Sequence, residues 1–420
     1  MNYQETTEYL FNSTPVFEKI GAKAYKPGLQ TTHALDEHFG HPHRQYKTIH
    51  IAGTNGKGSC SHTIAAILQS QGYKVGLYTS PHLVDFRERI RVNGECVPEQ
   101  YVIDFVEQNR SFFEPLHPSF FELTTAMALK YFAEQGVDYA VIEVGLGGRL
   151  DCTNIITPML SIITNISFDH TQFLGNTLAE IAGEKAGIIK PHVPVVVGEY
   201  LEATRPVFEE KAKEMQAPIL FAQDFFAQDF SAQDTEMESH VEMELKGSYQ
   251  ECNKKTILAA LSILRQNTTI GNAAIRKGFA QVCELTGLRG RWEKLNDAPL
   301  TICDTGHNLA GWNYLAPQIK SVKAETKHIV FGMVDDKDVT HVLQLLSQQL
   351  KNGVKYYWTQ PSTKRAIPVA KLRDFALEYN LHGNAYHSVK EAYKAAKENA
   401  RNNDFIFVGG SSYVVADLLS

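Results

Sequence analysis

A glycine-rich turn near residue 55 most constrains the fold, because it lies between a strand-like and a helix-like segment. Tyr46 to His50 alternates as a strand does, and the apolar residues of Cys60 to Gln71 recur at helical spacing. The turn between them is Gly53-Thr-Asn-Gly-Lys-Gly-Ser59. A strand, a glycine-rich turn, a lysine and a hydroxyl at a helix start are typical of a phosphate-binding loop.

This loop differs from the standard P-loop, in which serine or threonine directly follows the lysine. Here Gly58 separates Lys57 from Ser59, and the turn before Lys57 is shorter. We expect Lys57 to supply a point charge to the phosphates and Ser59 to reach a metal ion. The departure points away from the commonest P-loop enzymes.

The composition is that of a globular chain long enough for two domains. The 420 residues are 43% hydrophobic and 21% charged, with a net charge of −6. The charge argues against nucleic acid and against an anionic membrane surface as partners. A signal-peptide pattern and an apolar run of roughly 18 residues are both missing from the sequence. We therefore expect a cytoplasmic protein whose six cysteines are reduced. We also expect a monomer, although composition does not give the oligomeric state.

Strand-like and helix-like segments alternate along the N-terminal part of the chain. We predict strands at 73–78, 139–144, 160–164, 194–197 and 241–245, and helices at 122–134, 177–189 and 253–265. Ala-Gln-Asp recurs at 222, 227 and 232, which we interpret as a loop and hairpin insertion. This alternation predicts an α/β fold whose N-terminal domain has a P-loop-type, mainly parallel sheet.

A second and smaller Rossmann-like α/β domain is expected to begin near Leu300. Its short apolar strands are predicted at 300–303, 328–331, 356–358 and 405–408, and its helices include 339–350 and 369–379. The preceding Gly/Arg-rich stretch, 286–292, is the best candidate for a boundary. We predict a first domain at 1–292, a linker at 293–298 and a second domain at 299–420.

Polar residues follow several predicted strands, where ligands bind in parallel sheets. Glu143 could hold a metal ion there, or be neutralised by Arg149. His170 could be a ligand or a structural histidine. Ser80 could offer an oxygen to a metal ion or cap a turn, and Asp304 could receive a ribose hydroxyl or act as a turn residue.

Two further groups are interpreted as surface residues from spacing alone. Lys185 and Lys190 end a predicted helix, where lysines favour the helix dipole, so we expect both to be solvated. His38, His41 and His43 lie in a loop without cysteine or acidic partners, so a metal site there has weak support.

Together these segments resemble the folylpolyglutamate synthase/dihydrofolate synthase family, within the amino-acid ligase superfamily that includes the Mur ligases. The resemblance covers nearly the whole chain. The loop sequence Lys57-Gly58-Ser59, with a glycine between lysine and serine, resembles the folate branch of the superfamily. The family resemblance is carried by Gly53–Ser59, Thr79-Ser-Pro-His-Leu83, Glu88-Arg-Ile-Arg91, Phe121-Glu-Leu-Thr-Thr125, Glu143-Val-Gly-Leu-Gly-Gly-Arg-Leu-Asp151, Asp169-His170, Glu184-Lys-Ala-Gly-Ile-Ile-Lys190, Gly290-Arg-Trp-Glu293 and Asp304-Thr-Gly-His-Asn308.

The resemblance implies that 1–292 is an ATP-binding domain with a folate pocket and that 299–420 is a glutamate-ligase domain. It also implies a role for each matching residue. ATP would be bound by Gly53, Thr54, Asn55, Gly56, Lys57, Gly58, Ser59, Asn253, Arg291 and Asp304. Mg²⁺ would be held by Ser59, Ser80, Glu143 and His170; whether a second cation binds is left open. Catalysis would depend on Lys57, His170, Arg291 and Lys185, and Lys185 matches a lysine that is carbamylated in the family.

The resemblance also implies where the other two substrates bind. The folate pocket would be lined by Phe121, Glu122, Leu123, Thr124, Leu150, Asp151 and Cys152, and glutamate would meet His307 and Ser411. Cys152 stands where alanine is common in the family. The implied activity is ATP-dependent addition of L-glutamate to dihydropteroate, to (tetrahydro)folate or to both, through an acyl phosphate. A Mur-type ligase with another acceptor and a nucleotide-binding regulatory module are the alternatives.

Overall fold

The computed structural model describes residues 1–14, 28–227 and 241–420, which form two compact units. The first unit comprises the described residues of Met1–Glu244 and Glu251–Leu288. The second comprises Leu245–Gln250 and Arg289–Ser420. Each unit contains one mainly parallel sheet with helices packed on it, which confirms the predicted α/β fold.

The sheet of the first unit has the strand order β4-β3-β2-β5-β1-β6-β7-β8. Only β3 and β4, a hairpin at one edge, run antiparallel to their neighbours. The strands are β1 Lys47–Ala52, β2 Val75–Tyr78, β3 Ile90–Val92, β4 Glu95–Cys96, β5 Tyr139–Glu143, β6 Leu160–Ile163, β7 Val195–Val197 and β8 Ile219–Phe221.

Helices cover both faces of this sheet. In β5, Ala140 and Ile142 pack in one apolar cluster, while Tyr139 and Val141 pack in another, as side chains alternate along a strand. The helices are α1 Tyr3–Ser13, α2 Gln30–His38, α3 Lys57–Ser70, α4 Glu99–Phe113, α5 Phe120–Glu134, α6 Thr171–Leu174, α7 Leu178–Ala186, α8 Arg205–Glu214, α9 Ala222–Ala227, α10 Gln250–Leu264, α11 Asn272–Ala280 and α12 Val282–Thr286.

The second unit has a six-stranded sheet in the order β13-β12-β11-β14-β10-β9, in which only β9 is antiparallel to its neighbour. Its core includes Trp312, Phe331, Trp358 and Phe407. The strands are β9 Glu293–Asp297, β10 Leu300–Asp304, β11 Lys327–Phe331, β12 Val354–Thr359, β13 Gly383–Tyr386 and β14 Phe405–Gly409. The helices are α13 Leu309–Ser321, α14 Val339–Gln349, α15 Val369–Glu378, α16 Val389–Asn399 and α17 Ser412–Leu419.

Two local predictions differ from the structure. The segment 293–298, predicted as a linker, contains the edge strand β9. Most residues of this strand are polar, so it lacks the apolar pattern from which strands are predicted. The predicted strand at 241–245 does not form, because Glu244 binds the backbone of Phe279 and of Cys283 instead.

The Ala-Gln-Asp repeat falls partly within helix α9, where Asp224 pairs with Arg205, and its remaining copies lie in part or wholly outside the described residues. None of the described helices is long and apolar enough to cross a membrane.

Candidate active site

The phosphate loop connects the carboxyl end of β1 to the start of helix α3. Gly53 and Gly56 have φ values of 146° and 86°, a region that L side chains rarely adopt. A Cβ at Gly53 would lie 1.8 Å from Thr164 Oγ1, and one at Gly56 would lie 2.3 Å from Asn253 Oδ1. Because Gly56, which caps helix α3, has no side chain, the first-turn amides of the helix can face an anion.

The segment after β6 holds this loop in place. The N–H of Thr54 donates to the Asn165 carbonyl oxygen at 2.9 Å, and the N–H of Asn55 donates to Asn165 Oδ1 at 3.0 Å. The N–H of Ser167 donates to Thr54 Oγ1 at 3.1 Å. The strand-end segment that continues to His170 is therefore tied to the phosphate loop.

Two lysines point at the loop backbone. Lys57 Nζ donates to the carbonyl oxygens of Gly53 and Thr54 at 3.1 and 3.2 Å. Lys185 Nζ donates to the Gly53 oxygen at 2.9 Å and is only 4% exposed. Burial, and then the charge of Lys57, lower the pKa of Lys185 to about 7. The prediction that Lys185 is solvated is wrong, because helix α7 turns this side chain toward the loop.

Glu143 and Ser80 lie together at the carboxyl ends of the neighbouring parallel strands β5 and β2. The N–H of Ser80 donates to Glu143 Oε2 at 3.2 Å, and Glu143 is buried. Arg149, which could have neutralised Glu143, forms an ion pair with Glu184 at 2.8 Å. A buried carboxylate therefore lies beside a serine at the sheet edge where the phosphate loop begins.

His170 follows β6 and adopts a left-handed backbone conformation, with φ of 51°. Its N–H donates to Asp169 Oδ1 at 2.8 Å, and its Nε2 lies 3.7 Å from the same oxygen. Asp169 is thus the acidic neighbour of the imidazole.

The predicted folate residues on helix α5 are mostly packed inward. Glu122 closes a capping box by accepting from the N–H of Ser119 at 2.7 Å. Leu123 is fully buried, and Thr124 Oγ1 donates to the Phe120 carbonyl oxygen at 2.7 Å. Phe121 is half-buried and packs against Gly145, where a Cβ would lie 2.4 Å from its ring.

The segment Leu150 to Cys152 begins a short 3₁₀ turn behind that helix. Asp151 is buried and accepts from the N–H groups of Leu146 and Thr153 at 2.9 and 3.0 Å. Its carboxylate therefore secures the loop after β5. Burial raises the pKa of the half-buried Cys152 thiol well above its usual range, so the sulfur stays protonated at neutral pH.

In the second unit, Asp304 ends β10 as a buried carboxylate. Its Oδ2 accepts from Tyr249 Oη at 2.6 Å and from the Trp292 N–H at 2.7 Å, and its Oδ1 accepts from the Gly306 N–H at 2.8 Å. Burial raises the pKa of Asp304. Tyr249 could not be predicted from the sequence, because it lies 55 residues from Asp304 and belongs to no local motif.

The remaining predicted residues of this unit lie on the same loops or begin a helix. Arg291 Nη1 donates to the Gly290 carbonyl oxygen at 3.2 Å and contacts Thr305 Oγ1. His307 Nδ1 lies 3.1 Å from the Thr305 carbonyl oxygen. Ser411 caps helix α17, with its Oγ accepting from the Val414 N–H at 3.2 Å.

Both units match known protein domains. Residues 51–260 match the Mur ligase middle domain, and residues 290–412 match the Mur ligase glutamate ligase domain. The folylpolyglutamate synthase of Lacticaseibacillus casei is 33% identical, over 97% of this chain and 96% of that protein.

Solved structures resemble the whole chain. Escherichia coli FolC in complex with DHPP and ADP has a TM-score of 0.84 and 29% identity, covering 100% of this chain and 97% of that one. A bifunctional folylpolyglutamate synthase/dihydrofolate synthase with Mn, AMPPNP and L-glutamate bound has a TM-score of 0.82 and 26% identity, with coverage of 100% and 97%. The chain therefore belongs to the folylpolyglutamate synthase/dihydrofolate synthase family of the Mur ligases.

Proposed function

We propose that this chain is an ATP-dependent ligase that adds L-glutamate to dihydropteroate, to (tetrahydro)folate or to both. The observation that carries the proposal is the buried Glu143 carboxylate beside Ser80, at the sheet edge where the phosphate loop begins. Burying a charged carboxylate destabilises the fold. Its position is therefore better explained by binding of the metal ion that accompanies a nucleotide. Similar proteins whose structures contain ADP, DHPP or L-glutamate support the same proposal.

The chemistry requires activation of a carboxylate. An oxygen of the acceptor carboxylate attacks the γ-phosphate of ATP, so that ADP leaves and an acyl phosphate forms. The glutamate amine then attacks the acyl carbon, and phosphate leaves as the amide forms. Negative charge accumulates in both steps, so Lys57 and Arg291 act by electrostatic stabilisation and alignment.

The donors near the loop suit a divalent cation. Glu143 supplies a carboxylate, Ser59 and Ser80 supply hydroxyl oxygens, and His170 supplies an imidazole. When bound, Mg²⁺ neutralises charge on the transferring phosphoryl group. These four residues are proposed as its ligands.

Lys185 is proposed to act as a carbamate. A buried amine with a pKa of about 7 is partly neutral at physiological pH and can add to the carbon of CO₂. The nitrogen–carbon bond forms as an N–H proton leaves to solvent, which converts a cation beside the loop into an anion. Such an anion would assist at the metal site without repelling the cation there.

The substrate-binding roles are carried over from the family resemblance. ATP is assigned to Gly53–Ser59 and Asn253, with Arg291 and Asp304 as further contacts. The folate acceptor is assigned to Phe121–Thr124 and Leu150–Cys152, and glutamate to His307 and Ser411. In this assignment Phe121 is the most accessible of the α5 group, whereas Asp151 acts by holding its loop. We further propose that the enzyme is a cytoplasmic monomer.

The acyl phosphate can be tested by labelling the acceptor carboxylate with heavy oxygen. Direct attack on ATP predicts that one label appears in the released phosphate, and that ADP release needs the folate acceptor. Release of ADP without any acceptor, or of unlabelled phosphate during amide formation, would contradict the proposed reaction.

A further inference from the structure

A second polar cluster, formed by Asp36, His41 and His43, lies apart from the candidate active site. Asp36 is on helix α2, and the histidines lie in the turn that leads to β1. The cluster lies before Lys47, the first residue of β1, whereas the phosphate loop begins after Ala52, the last residue of that strand. A six-residue strand at about 3.3 Å per residue places them at opposite ends of the strand, roughly 17 Å or more apart.

The three side chains present donor atoms to one point. Asp36 Oδ2 lies 2.6 Å from His41 Nδ1 and 3.3 Å from His43 Nε2. One donor atom from each residue lies within 4.8 Å of the other two. Donors around a tetrahedral Zn²⁺ with bonds of about 2.0–2.1 Å lie about 3.3 Å apart, which matches the His43 contact and requires the shorter His41 contact to open.

The carboxylate has a buried oxygen for which no described residue provides a hydrogen bond. Asp36 is 7% exposed, and within the described part of the chain its Oδ1 has no hydrogen-bond partner. A buried polar atom without a partner is costly, and native proteins contain few of them. A cation held by the carboxylate would remove that cost.

The turn also brings His41 back toward the helix in a strained conformation. Gly40 and His41 both have positive φ values, 70° and 56°. The N–H of His41 donates to the Asp36 carbonyl oxygen at 2.8 Å, which fixes the imidazole next to the carboxylate. A non-glycine residue with positive φ is uncommon and is retained where the surroundings require it.

We propose that Asp36, His41 and His43 bind a divalent transition-metal ion, with Zn²⁺ as the chemistry that best suits the donors. Two imidazole nitrogens and one carboxylate oxygen form a known zinc ligand set, whereas Mg²⁺ favours oxygen donors. Water or the second carboxylate oxygen completes the coordination. The ion would fasten helix α2 to the chain entering β1, independently of catalysis.

The test is equilibrium Zn²⁺ binding to the full-length protein, measured in excess Mg²⁺ so that the predicted magnesium site is blocked. We expect one tight equivalent per chain. Asp36→Asn, His41→Gln and His43→Gln should each weaken Zn²⁺ binding by at least about 100-fold. Removing a residue that only hydrogen-bonds to a metal ligand already costs about 10–100-fold in metal affinity. His41 is partly exposed, so His41→Gln is the variant least able to disturb folding.

Two matched controls identify the cluster. His38→Gln changes a neighbouring histidine that stacks on Phe112, and His341→Gln changes a surface histidine 2.6 Å from Asp338 Oδ2. Both should keep the tight equivalent, and so should Glu143→Ala, which distinguishes this site from the active site.

The visible spectrum of Co²⁺ bound in place of Zn²⁺ should indicate tetrahedral nitrogen and oxygen ligation in the wild type and disappear in His41→Gln. No tight equivalent in the wild type, or equal affinity in His41→Gln and His38→Gln, would show a histidine–aspartate hydrogen-bond network instead and overturn the proposal.

Discussion

Lys57 and Lys185 donate to the same acceptor, the carbonyl oxygen of Gly53, at 3.1 and 2.9 Å. Burial disfavours the charged form of Lys185, and repulsion by the nearby Lys57 adds to that cost. The pKa of Lys185 falls to about 7 as a result. The loop therefore places Lys57, which is proposed to meet the phosphates, beside a buried lysine that readily becomes neutral.

Lys57→Ala should fold normally and lose ADP production. Removing a preorganised charge costs on the order of 3 kcal/mol in the transition state, which is roughly a 100-fold or greater loss in kcat/KM. Steady-state ADP release measures this loss. Lys47→Ala, at the exposed start of β1, which precedes the phosphate loop, is the control and should keep its activity. Comparable turnover in the two variants would rule out the role of Lys57.

The proposed carbamylation of Lys185 would make the activity dependent on CO₂ and on pH. Only the neutral amine of Lys185 adds to CO₂, so activity should fall as pH drops below about 7. Activity should also fall in CO₂-free buffer and return with bicarbonate. Lys185→Ala should be inactive and partly rescued by a short carboxylate such as acetate. Lys190→Ala, which removes another lysine whose pKa burial lowers, should show no such rescue.

The same lysine should lower the stability of the fold. Its pKa falls from 10.5 to about 7, so between those values the unfolded chain binds a proton that the native chain lacks, and stability rises with pH. Below about pH 7 the full cost of the buried charge is present. In CO₂-free buffer, Lys185→Met should therefore be more stable than the wild type near pH 6, with a smaller difference near pH 9. Denaturant unfolding measures both differences, and a Lys185→Met variant less stable at the lower pH would contradict the assignment.

Local patterns predicted the parts of the site that follow strand ends. Glu143 and Ser80 were expected at the carboxyl edge of one sheet, and the structure places them 3.2 Å apart because β2 and β5 are neighbours. Lys185 could not be predicted from its surroundings in sequence, because its partner Gly53 is 132 residues away. The family resemblance implied that Lys185 is carbamylated, and the structure adds that its side chain is buried.

The histidine loop shows the same limit at shorter range. Asp36 lies on helix α2, and local sequence did not predict that its carboxylate would meet His41 and His43 after the turn. The chain reverses direction at Gly40 and His41, which have positive φ values, and this turn brings the histidines back to Asp36. Glycine before histidine was the sole signal in the sequence.

Gly56→Ala should damage the nucleotide site more than the fold. Its φ of 86° disfavours a side chain, and the new Cβ would displace Asn253. Gly72→Ala is the matched control, because its φ is 100° and, apart from its chain neighbours, no described atom lies within 4 Å of the new Cβ. Both should lose about 1–2 kcal/mol of unfolding free energy from the left-handed backbone. Titration with ADP should show weakened binding only for Gly56→Ala, and equal affinities would contradict the placement of Asn253.

Transfer of labelled L-glutamate to dihydropteroate and to tetrahydrofolate, followed in parallel, tests the central claim most directly. The account predicts ATP-dependent amide formation with at least one of the two acceptors. It also predicts that Glu143→Ala, although folded, loses both this product and ADP, because Glu143 is buried beside Ser80 where the metal ion is proposed to bind. Exposed Glu134→Ala is the control and should retain activity. Absence of labelled product with both acceptors, or near-wild-type turnover in Glu143→Ala, would contradict the account.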